Sequence, residues 1–189
     1  MPEESSSMKS TIYLDTVFTD LQQPKLLSLG MVTLDGEEHY VELDPAEPDN
    51  AGTFANASSF VWSPEVLGQW HKVPGATVNL ADMGERTARW VLAQAARFGQ
   101  PADLAFDYAA DFSLFETLMR ETGHWHAVSD VIRPVFVGDL VSRFDAHLGA
   151  EIGFTYASRR GLERHHALAD AHGLRTACYA ATTGKRMKL

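Results

Sequence analysis

Asp15 and Val17 stand two residues apart in the run Thr11 to Phe18, whose β-branched and aromatic content predicts a strand. The period of two in a strand points both side chains to one face. An acid at the end of such a strand is either a solvated strand-end residue or a group placed for use. Far along the chain, His165 and Asp170 bracket the beginning of a segment otherwise rich in alanine and leucine. A helix start followed by an acid on the polar side accounts for them equally well. Asp111, in Phe106 to Phe112, fits an acid that answers the positive end of a helix dipole. Carboxylates are the oxygen donors that hard divalent cations take, and an imidazole moves protons near neutral pH. Those are the two kinds of chemistry these residues offer if the fold gathers them. His124 and His126 form a His-x-His pair in a loop with no cysteine or third ligand nearby, and are read as incidental. Cys178, the only cysteine, sits in an apolar helical segment and is read as a buried structural thiol.

The elements that must position these groups follow from periodicity and punctuation. After the first strand comes the polar turn Thr19 to Lys25, then a second apolar run, Leu26 to Leu34. Asp35 and Gly36 give a hairpin signal, and Glu37 to Leu43 alternates like an edge strand. From Asp44 to Asn79 the prolines leave room only for a short helix near Pro64 to Trp70, with Ser63 as its cap and Pro64 in its first turn. Met83 to Phe98 places Ala88, Val91, Leu92, Ala95 and Phe98 on one helical face, and Gly99 ends it. Asp103 to Tyr108 then reads as a strand, Asp111 to Glu121 as a helix, Ile132 to Val137 as a strand and Asp139 to Leu148 as a helix. A last helix runs from about His166 to Ala181, with Gly184 beyond it. A three-stranded meander followed by alternating helix and strand is an α/β order. No internal repeat is visible. The expected organisation is a disordered polar leader over residues 1–10, a single domain over 11–182 and a basic tail over 183–189.

The chain of 189 residues is long enough for one domain with a substantial core. A hydrophobic fraction of 45% with 22% charged residues is that of a globular protein, and no apolar run approaches a bilayer span. With one cysteine no intrachain disulfide can form, so a cytoplasmic location is expected. A formal charge of −9 argues against a protein that coats nucleic acid by bulk electrostatics, and leaves only local contacts. Positive charge gathers at Arg159, Arg160 and Arg164, and again at Lys185, Arg186 and Lys188; each group is either solvated surface or a phosphate contact.

The order and combination of three segments resemble the DEDDh 3'-to-5' exonucleases. Tyr13-Leu14-Asp15-Thr16-Val17-Phe18 looks like their first motif, normally Asp-x-Glu. Phe106 to Phe115 resembles the second, in which an Asp opens a helix, and His165 to Asp170 matches the third, His-x-Ala-x-x-Asp. The small bacterial 3'-to-5' exoribonuclease-like domains are the nearest likeness, with ribonuclease T and oligoribonuclease more distant. The resemblance implies a ribonuclease-H-like mixed sheet, an antiparallel meander plus parallel strands, flanked by helices. It also implies hydrolysis at the 3' ends of single-stranded RNA or DNA by two metal ions, Mg²⁺ or Mn²⁺. By position, Asp15, Asp111 and Asp170 match the metal-binding acids and His165 the general base. Phe18 corresponds to a wall of the pocket for the terminal nucleotide, with plain core packing as the other reading, and Arg164, with Arg159 and Arg160 before it, is either a contact for substrate phosphates or a solvated arginine. Membership would further imply a homodimer and no membrane association.

One position departs from the pattern. Valine has no lone pair for a cation, so Val17 removes a ligand where the family has Glu, and activity is expected to be impaired. Asp20 and Asp107 are the available substitutes, but neither has the strand geometry of the missing acid. A degenerate domain that binds nucleic-acid ends or a protein partner without cleavage is the alternative reading.

Overall fold

The computed structural model describes residues 10–189. Residues 1–9 of the expected leader lie outside them, while Ser10 is buried and its Oγ accepts a 2.8 Å hydrogen bond from Gln100. The elements run β1 (Thr11–Phe18), β2 (Leu26–Thr33), β3 (Glu38–Leu43), α1 (Ala51–Ala55), β4 (Thr77–Val78), α2 (Leu80–Phe98), β5 (Ala102–Phe106) and α3 (Ala109–Glu121). They continue with α4 (Trp125–Ser129), β6 (Ile132–Phe136), α5 (Gly138–Val141), α6 (Phe144–Ser158) and α7 (Ala167–Thr183).

The strands form one six-stranded mixed sheet in the order β4-β3-β2-β1-β5-β6. β1, β2 and β3 are the antiparallel meander, and β5 and β6 add in parallel beside β1. β2 is buried at all eight positions, as a central strand covered on both faces must be. β3 is not the edge that its alternation predicts, because the two residues of β4 pair with Glu42 and Leu43. The arrangement is consistent with a ribonuclease-H-like α/β fold.

Alternation along β1 divides the core. Ile12 and Leu14 join Leu27, Leu29, Met31 and Leu104 under α2 and α3. Tyr13 faces the other way with Val32 and Ala105, against Ala171, Leu174 and Cys178 of α7. Each buried aliphatic or aromatic side chain is worth roughly 1.5–3 kcal/mol of transfer free energy, so these two layers hold the sheet. Asp15 and Val17 share the face of Tyr13 and therefore look toward α7. That helix crosses β2 closely because residue 30 has no side chain: a Cβ on Gly30 would lie 2.5 Å from the Ala167 carbonyl oxygen.

Several boundaries differ from expectation. α2 begins earlier than Met83, because the Asn79 side chain accepts the Asp82 N–H at 2.8 Å and caps it. α3 starts at Ala109, so Asp111 sits inside the first turn. The segment near Pro64 makes only turns and a single 3₁₀ turn at Leu67–Gln69, while Ala51–Ala55 is helical. The helix expected over Asp139 to Leu148 is two helices, α5 and the longer α6. Among the described residues no helix is long and apolar enough to cross a membrane.

Candidate metal centre

The parallel pairing of β1 with β5 sets the site. Tyr13 is in register with Ala105, and the same offset carried two residues further brings Asp15 level with Asp107. Asp107 directly follows β5, and α3 begins two residues later, so its first turn holds Asp111 beside the same strand ends. Carboxylate oxygens of Asp15, Asp107 and Asp111 all lie within 4.8 Å of one another. Among the described residues this is the one group of side chains so arranged.

Asp111 is buried, and its two oxygens are treated differently. Oδ1 accepts the Thr16 hydroxyl at 2.7 Å, while Oδ2 has no partner. A buried carboxylate oxygen without a donor is costly unless a cation or a proton meets it. Burial pushes the Asp111 carboxyl up to about 7, against the pull of the Thr16 bond and helped by the nearby Asp107 charge. Asp15 is held well above the usual carboxylate range by burial first and then by Asp170, Asp111 and Asp107. Asp107 is raised by burial as well. Three crowded acids with affinity for a positive charge are what a divalent cation requires.

Asp170 approaches from α7, in the turn placed over Gly30, the residue that pairs with Asp15. Burial raises its carboxyl to about 7, although Oδ2 accepts the His165 backbone N–H at 3.0 Å. That bond spans the loop before α7 and accompanies a left-handed backbone at His165, φ 69°. The His165 ring is exposed and meets Phe60 edge-on at 5.1 Å between centroids. Asp15, Val17, Phe18, Phe60, His165 and Asp170 line a single cavity of about 980 Å³. Phe18 stacks on Tyr108 with centroids 6.1 Å apart and planes inclined by 7°, which makes a flat apolar wall.

The remaining sequence candidates are placed as follows. Arg164 borders a neighbouring cavity of about 720 Å³, where it pairs with Glu151 and lies 4.2 Å over the Phe154 ring. Val17 is half-buried, lining the cavity while packing against the core cluster under α2 and α3 and against the one around Tyr40 and Leu168. Asp20 closes its own turn by accepting the Gln22 and Gln23 backbone N–H groups at 2.6 and 2.8 Å, and is no substitute ligand. His166, neighbour of His165, is buried, stacks on Tyr40 at 4.2 Å and accepts the Leu168 N–H, so it caps α7. Cys178 is buried, and desolvation pushes its thiol up to about 12, as an inert structural cysteine requires. Asp107, Thr16, Phe60 and Tyr108 are the site residues that motif reading did not select. The signal for Asp107 was its position at the carboxyl end of a parallel strand, where α/β sheets place their ligands. No family model matches this chain, and no curated protein matches it.

Proposed function

We propose that the chain is a 3'-to-5' exonuclease-like protein that binds Mg²⁺ or Mn²⁺ and acts on the 3' ends of single-stranded RNA or DNA. The observation that carries this reading is the convergence of Asp15, Asp107 and Asp111 around the partnerless Oδ2 of Asp111. Asp107 supplies a carboxylate to a cluster from which Val17 withholds one. The motif likeness supplies the reaction class, and the donor set fits hard cations.

In this reading Asp15, Asp107 and Asp111 hold one cation, and Asp170, facing the cluster from α7, serves a second. Bound there, the two would activate a water and offset the charge on the departing 3' oxygen. His165 takes the proton of that water. The bond from its backbone to Asp170 keeps its loop against the acids. Phe18 and Tyr108 offer a stacking face for the terminal base, and the cavity beside Asp15 accepts one nucleotide end rather than a duplex. Arg164, already occupied by Glu151, contributes at a distance through its charge and not as a free phosphate clamp. The homodimer implied by the resemblance belongs to the same proposal, and sedimentation at micromolar concentration checks it.

A second reading has its own support: Val17 puts an apolar side chain on the wall of the site cavity, where it packs against the core clusters and offers no oxygen to a cation, which suits a domain that binds ends without cutting. Labelled single-stranded oligonucleotides incubated with Mn²⁺ separate the two. Stepwise shortening from the 3' end, lost in Asp107→Asn, supports the exonuclease; binding without shortening supports the second reading. Absence of both metal binding and oligonucleotide binding removes the proposal.

A further inference from the structure

On α7, one and a half turns beyond Asp170, Arg175 is only 2% exposed. Its Nη1 reaches one acceptor, the Thr33 carbonyl oxygen, at a long 3.4 Å, and its Nε has no partner. Among the described residues it makes no ion pair. The acids around it are already taken. Glu38 accepts Arg160 Nη2 at 2.8 Å and lies 2.8 Å from His172 Nε2, and Asp35 is held by Arg97, one bond being 3.0 Å. With His172 neutral, Glu38 and Arg160 cancel, Asp35 and Arg97 cancel, and the Arg175 charge stands over. An uncompensated guanidinium out of water is unfavourable, and an anion with oxygen acceptors relieves it.

The space for such an anion adjoins it. Arg175 lines a cavity of about 720 Å³ together with Tyr156, Tyr179, Lys185, Arg186 and Lys188. The three tail cations form no ion pair among the described residues. Gly36 borders the same space, and a Cβ there would come within 3.2 Å of Arg175 Nη1, so the backbone leaves the guanidinium open on that side. A planar fork at the base, cations at the rim and two tyrosines along the wall match a phosphate group attached to an aromatic ring system.

We propose that this cavity binds the phosphate monoester of a nucleotide, with Arg175 gripping the phosphate, the Lys185 to Lys188 segment closing over it and Tyr156 and Tyr179 flanking the base. The site uses none of the clustered carboxylates, so it holds or fails independently of the exonuclease reading. Its phosphate could come from a free nucleotide or from the 5' end of a strand.

Thermal melting of the full chain in EDTA tests it with inorganic phosphate, adenosine monophosphate, and 5'-phosphorylated against 5'-hydroxyl oligonucleotides. The nucleotide should raise Tm by about 3 °C or more near saturation, and inorganic phosphate by less. A matching rise with the 5'-phosphorylated strand alone of the two oligonucleotides assigns strand ends; no rise with either assigns the free nucleotide. Arg175→Met, which replaces a buried charge by an apolar chain, should fold and lose the effect. A triple variant, Lys185→Glu, Arg186→Glu and Lys188→Glu, should lose it without touching the core. Asp15→Asn should keep it. The proposal is overturned if no nucleotide phosphate shifts the parent, if the shift survives in Arg175→Met or in the triple variant, or if Asp15→Asn abolishes it.

Discussion

Gly30 and Ala167 meet backbone to backbone: a Cβ on Gly30 would stand 2.5 Å from the Ala167 carbonyl oxygen. Because Gly30 is the register partner of Asp15, this contact fixes how near Asp170, three residues beyond Ala167, comes to the strand acids. Gly30→Ala should therefore destabilise the protein by about 2 kcal/mol or more, as overpacking does, and weaken Mn²⁺ binding in the folded fraction. Gly52→Ala, in α1 with nothing near its Cβ position, is the control and should be neutral or slightly stabilising. Urea denaturation compares the two; equal midpoints would mean that α7 is free to shift.

The acid cluster predicts a dependence on pH whose sign can be worked out. Asp111 titrates near 7 in the fold, above the unfolded aspartate value of about 3.9. Its protonated form is therefore favoured by folding. That stability is fully present below about 4, declines as pH rises and is gone once pH passes about 7. His39 and His166, both lowered to about 4 by burial, run oppositely: their stability is present above about 6.5 and is lost as pH falls toward 4. A difference between variants isolates the acid. Asp111→Asn, which keeps an oxygen for Thr16, should melt at nearly the parent temperature at pH 4. Its advantage should grow to on the order of 3 kcal/mol by pH 8 in EDTA. Added Mn²⁺ should raise the Tm of the parent at pH 8 and not that of the Asn variant. A difference that stays flat with pH would show that Asp111 is ionised at no cost.

Glu42, fully buried in β3, accepts three hydrogen bonds: Tyr40 hydroxyl at 2.7 Å, the His71 N–H at 2.8 Å and the Thr77 hydroxyl at 2.8 Å. It joins the meander to β4 and to the loop before it. Glu42→Ala should cost about 3 kcal/mol, since it strands those donors. Glu42→Gln should cost less. Chemical denaturation reads both, and an Ala variant within about 0.5 kcal/mol of the parent would mean that water replaces the carboxylate.

How much of this was legible in the sequence varied with the range of the cause. β1 was read to its boundaries because strand propensity and alternation are local, and the close of α2 at Gly99 follows from a left-handed residue, φ 68°. The helix expected over Asp139 to Leu148 stops short of Gly149 and Gly153, residues of low helix propensity. They are the places where α6 and α7 touch, each Cβ position lying 2.5 Å from an atom of Thr176. Asp15, Asp111, His165 and Asp170 could be picked out by motif. Asp107 could be named only as a substitute alongside Asp20, because what brings it to Asp15 is the register of β5 against β1, a contact about 90 residues apart that no local spacing records. Val17 was legible as a missing ligand but not as a half-buried side chain that touches two hydrophobic clusters while lining the cavity.

The last prediction tests whether Val17 and Asp107 are alternatives. Val17 faces the same cavity as Asp15 and is only partly buried, so a glutamate there can reach the acids without being sealed in the core. If Asp107 stands in for the missing strand acid, Asp107→Asn should lower Mn²⁺ affinity by at least roughly 10-fold. Val17→Glu with Asp107→Asn should then recover most of it. Val17→Glu alone adds a fourth acid to the crowd. It should lower Tm in EDTA through repulsion, and gain more Tm from Mn²⁺ than the parent does. Where shortening of an oligonucleotide accompanies metal binding, His165→Ala added to Val17→Glu should keep the metal and lose most of the turnover, which separates ligation from proton transfer. Calorimetric titration with Mn²⁺ decides the first part. If Asp107→Asn binds as tightly as the parent, Asp107 is a bystander, and Asp15, Asp111 and Asp170 must hold the cation by themselves.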